Sequence, residues 1–331
     1  MTVLPTQARL AQAYAVTRGA TRRTLLLDSE ALALATGAAR VFVKAENLQR
    51  AGSFKLRGAF WRLSVLDAEE RARGVVAYSS GNFAQGLAAA GRDLGVPVTI
   101  VMPVDAPEVK RRATEAFGAR VVLSHHGDRP REEVASDLAK RLAAEEGLAL
   151  LHPFDDPEIV AGQAGAGLEA LEQLAEAGAL PDVVLCPAGG GGLMGGVALA
   201  LRAAVPEVRL IAVEPAGYDG MGESLRRGER VRVAGGATIC DALQATMPGE
   251  ATLAACRAAG VEGVAVTDAE AAAGMRAGFE ALKLVLEPSG AVAIGAALSG
   301  RVPLDGATVL IFATGGNIPF DRFAAQLLRE T

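Results

Sequence analysis

The length, composition and charge of this chain exclude several classes of protein. Its 331 residues are enough for two lobes, because a single hydrophobic core stops growing at roughly 250 to 300 residues. With 33 basic and 38 acidic residues the net charge is only −5, and neither sign forms a long block. A nucleic acid or an anionic membrane is therefore not an expected partner, and we expect a small molecule instead.

The termini and the metal-binding residue types favour an ordinary cytoplasmic protein. Residues 1–9 lack a basic region followed by an apolar core, so no secretory signal is visible. The three cysteines have no CxxC spacing, and the three histidines are not spaced as zinc ligands. We expect structural cysteines and surface histidines at Cys186, Cys240, Cys256, His125, His126 and His152.

The first predicted strand, at 41–43, leads to a helix that carries a lysine in its first turn. Ser53 is expected to cap this helix, and its apolar face repeats at helical spacing. That face consists of Leu56, Phe60 and Leu63. The unpaired N–H groups at the helix start should lower the pKa of Lys55 and make its amine a nucleophile. The alternative is a solvated lysine at the start of a surface helix.

The rest of the chain alternates between predicted strands and helices, as in βαβ units that build parallel sheets. One run covers 74–151, with a helix ending at Phe117. A second run begins at Asp182 and includes a helix predicted at 269–285. Because the N-terminal segment contains one predicted strand and cannot fold alone, we assign 1–60 plus 152–331 to a larger, discontinuous domain and 61–151 to a smaller one. The active cleft is expected between these two lobes.

A glycine-rich loop between a predicted strand and helix is the expected phosphate site. Its members are Gly189, Gly190, Gly191, Gly192 and Leu193. Unpaired N–H groups and the helix dipole bind anions at such a place, and glycines let a phosphate approach the backbone. The spacing of Gly190, Gly192 and Gly195 also satisfies GxGxxG, with Glu214 near the expected position of a ribose-binding acid, so a nicotinamide dehydrogenase is a competing interpretation.

Two further loops follow predicted strands. Ser79, Ser80, Gly81 and Asn82 offer hydroxyls, an amide and free N–H groups to an anion such as a carboxylate. Thr314 places a hydroxyl at the end of the last predicted strand. A lysine, a phosphate cradle, a carboxylate cradle and a hydroxyl are the groups that a pyridoxal-phosphate enzyme acting on amino acids needs.

These motifs, in this order, resemble the fold-type II pyridoxal-phosphate enzymes, specifically the threonine/serine dehydratase and serine racemase family. The likeness covers almost the whole chain. It is carried by GSFKLRGA at 52–59, SSGNFAQG at 79–86, HPFDD at 152–156, AGGGGL at 188–193, EPSGA at 287–291 and TGGN at 314–317. The resemblance implies an α/β fold of two doubly wound, parallel-sheet lobes of the tryptophan-synthase-β-like kind, with pyridoxal 5′-phosphate in the cleft between them, and it suggests a homodimer.

The resemblance also assigns roles to individual residues. Lys55 would form the Schiff base with the cofactor and act as the catalytic base, and Ser79, Ser80, Gly81 and Asn82 would bind the substrate carboxylate. Asn82 would contact the phenolic oxygen of the cofactor and Thr314 its pyridine nitrogen. The residues expected to bind the cofactor are Lys55, Phe54, Asn82, Gly189, Gly190, Gly191, Gly192, Leu193, Glu287 and Thr314.

The expected reaction is the α,β-elimination of water from L-threonine or L-serine to a 2-oxo acid and ammonia. Ser80 is also a catalytic candidate, because racemisation requires a proton donor opposite Lys55, and a serine at this position resembles the racemases of the family. A hydroxyaspartate dehydratase shares the pattern but needs a cation for the second carboxylate, which the sequence alone does not locate. A non-catalytic amino-acid sensor is a further alternative, which the intact lysine and cradles argue against.

Three departures from the family pattern limit what can be carried over, one of which is that 163–167 lacks the threonine often present there. Phe83 occupies a position where the family usually has histidine, so we expect a more apolar pocket. The segment from Glu214 to Gly220 resembles the divalent-metal segment of the family, with glycine in place of the second acid. Glu214 and the Tyr218 carbonyl are the candidate ligands for Mg²⁺ or another divalent cation, and a salt-bridged or capping Glu214 is the alternative.

Overall fold

The strands of the computed structural model, which describes residues 3–127, 129 and 131–328, form two sheets. In chain order they are Leu26–Asp28 (β1), Arg40–Ala45 (β2), Val75–Tyr78 (β3), Val98–Pro103 (β4), Arg120–Ser124 (β5), Ala149–Leu150 (β6), Val183–Pro187 (β7), Arg209–Pro215 (β8), Glu262–Val266 (β9) and Thr308–Ala313 (β10). The larger sheet has the order β1-β2-β10-β7-β8-β9 and the smaller one β5-β4-β3-β6. All pairings are parallel except that of β1 with β2.

Helices connect the strands along the described part of the chain. They are Gln7–Thr17 (α1), Glu30–Thr36 (α2), Lys55–Ser64 (α3), Ala68–Arg73 (α4), Asn82–Leu94 (α5), Glu108–Ala116 (α6), Arg131–Glu146 (α7), Pro157–Glu176 (α8), Gly192–Ala204 (α9), Gly220–Arg227 (α10), Glu250–Ala258 (α11), Asp268–Leu282 (α12), Pro288–Leu298 (α13) and Phe320–Leu327 (α14). Two short 3₁₀ turns, Glu46–Leu48 and Arg50–Gly52, lead from β2 to α3.

Both faces of the larger sheet are covered by helices. Successive strand side chains point to opposite faces, so Val309 and Ile311 of β10 pack into one core with α12 and α13. Leu310 and Phe312 pack into a second core with α8 and α9. The near-continuous apolar character of these strands follows from this double burial, and the predicted doubly wound α/β architecture is confirmed.

The smaller sheet is also buried on both faces. Val75 and Ala77 of β3 pack with residues of α3 and α5, whereas Val76 packs with Ala135 and Ala139 of α7. The α3 helix therefore contributes to the core of the smaller sheet, and it also packs on α8. It lies at the junction of the two sheets.

Three predictions about local structure are corrected. The N-terminal segment contains a second strand, β1, which is short and only partly buried and so lacks an apolar run. The helix predicted at 269–285 ends at Leu282, because Lys283 adopts a left-handed φ of 57°. Ser53 is not a helix cap: it is extended, pairs with Gly315 as an isolated β-bridge, and its buried hydroxyl has no hydrogen-bond partner among the described residues.

Four buried charged residues tie α3 to the larger sheet, and we call them the α3 anchor: Lys44, Glu46, Arg57 and Glu169. The Arg57 guanidinium donates hydrogen bonds of 2.8 Å to both carboxylate oxygens of Glu46 and one of 2.8 Å to Glu169. Lys44 Nζ donates to the same Glu169 oxygen at 2.6 Å. Two positive and two negative charges thus satisfy one another away from water, as buried charges must.

The sheet order brings several loops to one edge. β10 lies between β2 and β7, and the carboxyl ends of neighbouring parallel strands meet at the same edge of a sheet. The chain after β2, which leads to Lys55, therefore lies beside the glycine loop after β7 and the Thr314 loop after β10. None of the helices in the described residues has the length and apolar character needed to cross a membrane.

Candidate active site

Lys55 is the first residue of α3, and its amine lies among apolar groups. Its Nζ donates a hydrogen bond to the carbonyl oxygen of Pro153 at 3.0 Å and lies 5.2 Å and 5.6 Å from the ring centroids of Phe54 and Phe83. Burial lowers the pKa of Lys55 to about 8. The cause of this lowering is the loss of water around the amine, and not the start of the helix as expected from the sequence.

The predicted glycine loop ends in an open helix N-terminus. Gly191 precedes α9 with a φ of 93°, and no side chain caps the helix. The Gly190 carbonyl is held from the other side, because Thr252 Oγ1 donates to it at 2.6 Å and the Gly249 N–H at 3.2 Å. The N–H groups at the start of α9 are therefore not occupied by a capping side chain, and phosphate binding at this loop stays a prediction.

The segment from His152 to Phe154 connects Lys55 to this loop, and sequence reasoning missed its role. Pro153 accepts the lysine hydrogen bond, and the Phe154 ring lies against Gly190, where a Cβ atom would come within 2.3 Å of ring carbons. The HPFDD motif gave a signal for this segment, but its contact with the glycine loop spans a long sequence separation. The segment from His152 to Phe154 thus contacts both Lys55 and the glycine loop.

His152 is not a surface residue, which corrects the sequence expectation. Its Nδ1 accepts hydrogen bonds from the N–H groups of Phe154 (3.3 Å) and Asp155 (2.8 Å), and its Nε2 lies 3.2 Å from the Tyr78 hydroxyl. Burial lowers the pKa of His152. A neutral His152 must then carry its proton on Nε2 and donate it to Tyr78, which fixes the turn beneath Lys55.

The predicted carboxylate cradle lies at the start of α5. No side chain caps this helix, and Ser79 Oγ accepts a hydrogen bond of 3.3 Å from the Gly81 N–H. Ser79, Ser80 and Gly81 are partly exposed, whereas Asn82 is buried. Phe83, where histidine was expected from the resemblance, is 2% exposed and contributes to the apolar core beside Lys55.

Asn82, Glu287 and Thr314 come together from distant parts of the sequence. Asn82 Nδ2 donates to Glu287 Oε1 at 2.6 Å, and burial, followed by the charge of Asp241, raises the pKa of Glu287 to about 7. Thr314 is 4% exposed, and its carbonyl accepts from the Phe54 N–H at 3.2 Å. Asn82, Glu287 and Thr314 therefore lie close together, beside the backbone that precedes Lys55.

Glu214 is engaged within the protein, whereas Tyr218 makes a contact through its hydroxyl and not through the carbonyl that is the candidate metal ligand. The two Glu214 oxygens accept hydrogen bonds from the N–H groups of Met221 (2.9 Å) and Gly222 (2.8 Å), and burial raises the pKa of Glu214 to about 8. The Tyr218 hydroxyl donates to the Gly236 carbonyl at 2.9 Å. No group of three or more His, Cys, Asp or Glu side chains that could hold a metal occurs within the described residues.

Comparison with known proteins identifies the class to which this fold and site belong. The family model described as pyridoxal-phosphate dependent enzyme matches residues 17–315, and the chain belongs to this family. This membership excludes the nicotinamide dehydrogenase interpretation of the glycine loop.

Individual relatives are similar over most of their length. The chain is 41% identical over 310 residues to an L-threo-3-hydroxyaspartate ammonia-lyase of Pseudomonas sp, covering 93% of this chain and 94% of that protein. It is 39% identical over 307 residues to an L-threonine ammonia-lyase of Thermotoga maritima, covering 93% and 74%. The structure of maize serine racemase superimposes with a TM-score of 0.91 at 32% identity, covering 98% of this chain and 97% of that one.

Proposed function

We propose that this protein is a pyridoxal-phosphate-dependent ammonia-lyase that eliminates water from a small β-hydroxy amino acid. L-threonine and L-serine are the first substrates to test, and the products are a 2-oxo acid and ammonia. The observation that carries this proposal is the buried amine of Lys55, which has a pKa of about 8. It lies near the starts of α9 and α5, and no side chain caps either helix.

The residues present fit pyridoxal phosphate. The N–H groups of Gly189, Gly190, Gly191, Gly192 and Leu193 would hold the phosphate, because no side chain occupies the start of α9. Lys55 would hold the aldehyde, Phe54 and Glu287 would line the ring site, Asn82 would contact the phenolic oxygen and Thr314 the pyridine nitrogen. When bound, this cofactor supplies an electron sink for the carbanion formed at the substrate Cα.

Lys55 acts as the base in this proposal. At neutral pH a buried amine with a pKa of about 8 exists partly in the neutral form, so its Nζ can take the Cα proton of a substrate. The rings of Phe54 and Phe83 limit the access of water to this atom. The N–H groups and hydroxyls of Ser79, Ser80, Gly81 and Asn82 bind the substrate carboxylate and orient its Cα toward Lys55.

The experiment is a spectroscopic and kinetic comparison of the wild type with Lys55→Ala. We expect the wild type to bind pyridoxal phosphate with a visible absorption band, to release a 2-oxo acid from threonine or serine, and to lose both properties in Lys55→Ala. A colourless wild type that cannot be reconstituted with the cofactor would exclude the proposal. An unchanged melting temperature in the variant ensures that the loss is chemical.

The positively charged side chain of Lys110 favours L-threo-3-hydroxyaspartate as a second candidate substrate. Lys110 Nζ lies 2.6 Å from Asp241 Oδ2 and is close enough to Glu287 to oppose the rise of its pKa. A second substrate carboxylate could take the place of Asp241 as its partner. We expect Lys110→Gln to lower turnover of hydroxyaspartate more than that of threonine, with Arg112→Gln, on the exposed part of the same helix, as the control.

Ser80 is the candidate for a proton donor in racemisation, because it lies at the partly exposed start of α5. If the protein racemises serine, Ser80→Ala should abolish chiral inversion while elimination survives. Inversion that persists in Ser80→Ala would remove this residue from the proposal.

The residues around Glu214 do not fit a divalent cation. Both carboxylate oxygens accept hydrogen bonds from N–H groups, whose positive ends repel a cation, and Gly220 supplies no second carboxylate. A hard cation needs several oxygen ligands. We therefore propose that this segment is held by a capping carboxylate and expect the same turnover with added Mg²⁺ and with EDTA.

The domain boundaries, oligomeric state and location remain proposals. The strands of the smaller sheet lie between 75 and 150 and all others outside this range, which supports a domain at 61–151 and a discontinuous one from 1–60 plus 152–331.

Leu34, Phe279 and Phe320 are 78%, 44% and 83% exposed, which supports a homodimer that light scattering can test. The three free, buried cysteines suit a reducing cytoplasm, which cell fractionation can test.

A further inference from the structure

Asn317 lies where three segments that are distant in sequence meet, and no role is predicted for it from the sequence. A single nitrogen, Asn317 Nδ2, donates hydrogen bonds to the Ala51 carbonyl and to Asn82 Oδ1, both at 2.8 Å. Asn82 Nδ2 in turn donates to Glu287 Oε1 at 2.6 Å. We call Ala51, Asn317, Asn82 and Glu287 the amide chain.

The amide chain has a fixed polarity. The Ala51 carbonyl can only accept, so Asn317 must turn its NH₂ group toward it, and the second proton of that group is donated to Asn82. Asn82 Oδ1 is therefore committed as an acceptor, and its NH₂ group faces Glu287. Among the described residues one N–H of Asn82 remains after the bond to Glu287, so Asn82 offers the pocket a donor and not an acceptor.

At the other end of the amide chain, Ala51 is part of a strained turn. Ala51 has a φ of 62°, which is unfavourable for a residue with a Cβ atom, and Gly52 follows with a φ of 71°. A Cβ atom at Gly52 would lie 2.1 Å from Asn317 Oδ1, so the turn is packed directly against this side chain. This turn ends three residues before Lys55.

We propose that Asn317 is a positioning residue that fixes both the turn before Lys55 and the direction of the Asn82 amide. Through Asn82 it ensures that an N–H group meets an electron-rich oxygen of the bound cofactor. This inference rests on the proposed function, because it requires pyridoxal phosphate in the pocket.

The experiment compares Asn317→Ala and Asn317→Asp with Asn47→Asp as a matched control. Asn47 is a nearby buried asparagine whose Nδ2 donates to a backbone carbonyl, that of Val285, without contacting Asn82. The dissociation constant for pyridoxal phosphate is measured by titrating the apoenzyme, and the absorption band of the holoenzyme is followed against pH.

We expect Asn317→Ala to weaken cofactor binding about tenfold, as for the loss of two hydrogen bonds. Asn317→Asp should weaken it more, because a carboxylate accepts from Asn82 and reverses the direction of its amide. Both variants should shift the midpoint of the pH titration, whereas Asn47→Asp should lower the melting temperature without changing either measurement.

A double variant distinguishes the effect of Asn317 on the turn at Ala51 from its effect on Asn82. Ala51→Gly removes the strain of the left-handed conformation, so in the Asn317→Ala background it should restore the melting temperature but not the cofactor affinity. It also provides a folded protein for measurement if Asn317→Ala alone does not fold.

Cofactor affinity and pH titration that are unchanged in both Asn317 variants would overturn the inference, as would full recovery of affinity by Ala51→Gly. A wild type that binds no pyridoxal phosphate would instead contradict the proposed function, so the two failures are distinguishable.

Discussion

At Lys55 the amine is activated by removing water and not by a neighbouring charge. A carboxylate partner would raise the pKa of a lysine, but Lys55 Nζ donates to the neutral carbonyl of Pro153. The rings of Phe54 and Phe83 provide the rest of its apolar surroundings. A fraction of the amine is thus in the reactive, neutral form at neutral pH, which is not so for an ordinary lysine.

This environment predicts the pH dependence of cofactor loading. Below its pKa Lys55 is protonated and unreactive, and above it the neutral amine predominates, so the rate of pyridoxal-phosphate capture by the apoenzyme should rise with pH and level off above about 8. An ordinary lysine would show its midpoint near 10.4. Stopped-flow absorbance measures the rate, with Lys55→Ala as the control. A midpoint above pH 10 would contradict the proposed environment.

At the scale of elements, α3 depends on its anchor. Burial alone would raise the pKa of Glu46, but the charge and hydrogen bonds of Arg57, together with the charge of Lys44 and the Thr24 hydrogen bond, outweigh burial and hold the pKa below its ordinary value. Removing one member leaves an uncompensated charge in the interior, which costs more than a surface ion pair contributes.

Two arginines on α3 allow this difference to be measured. Arg57→Met should lower the free energy of unfolding by about 3–5 kcal/mol, because Glu46 and Glu169 lose their shared partner. Arg62→Met should lower it by less than about 1 kcal/mol, because its pair with Asp156 is partly exposed. Urea unfolding measures both variants. Equal losses of unfolding free energy in the two variants would show that burial does not determine how much the α3 anchor contributes to stability.

The conformation of the glycine loop depends on the absence of a side chain at Gly190. A Cβ atom at Gly190 would lie 2.3 Å from Phe154 ring carbons, so Gly190→Ala should push Phe154 away and weaken pyridoxal-phosphate binding at least tenfold. Gly236→Ala is the control, because nothing lies within 4 Å of its added Cβ atom. Titration of the apoenzymes measures the effect. Equal affinities in the two variants would show that the loop tolerates a side chain.

Local patterns were enough to predict this loop, Lys55 and the alternation of strands and helices. Glycine, lysine and serine in short runs between apolar strands carry their signal within a few residues. The environment of His152 and the amide chain of Asn317 depend on contacts between segments far apart in sequence, as in Asn317 with Ala51. Ser53 was mistaken for a cap because its pairing with Gly315 is likewise a long-range contact.

At the scale of the whole molecule, the Lys110–Asp241 ion pair is one of the contacts between elements of the two sheets. Lys110 on α6, which packs beside the smaller sheet, contacts Asp241 in the segment before α11 of the larger sheet. The lysine side chain is 13% exposed and the aspartate side chain 42%, so the pair is partly open to water. This pair holds the two sides of the cleft together.

Breaking the pair should loosen the cleft without unfolding either sheet. In Lys110→Gln we expect faster amide hydrogen exchange in α6 and around Asp241 and unchanged exchange in β10. Arg112→Gln is the control, because Arg112 pairs with Glu108 within α6 itself. Hydrogen exchange followed by mass spectrometry measures the three proteins. Unchanged exchange in Lys110→Gln would show that the pair does not restrain the cleft.

The zero net charge of the α3 anchor has a consequence for how this sequence can diverge. Because Lys44, Glu46, Arg57 and Glu169 neutralise one another, a replacement at one position alone leaves a buried charge. A lineage that replaces Arg57 with an apolar residue must also neutralise one acid, so these four positions should covary among relatives. Residues in the surrounding apolar strands can instead be replaced by similar apolar residues one at a time.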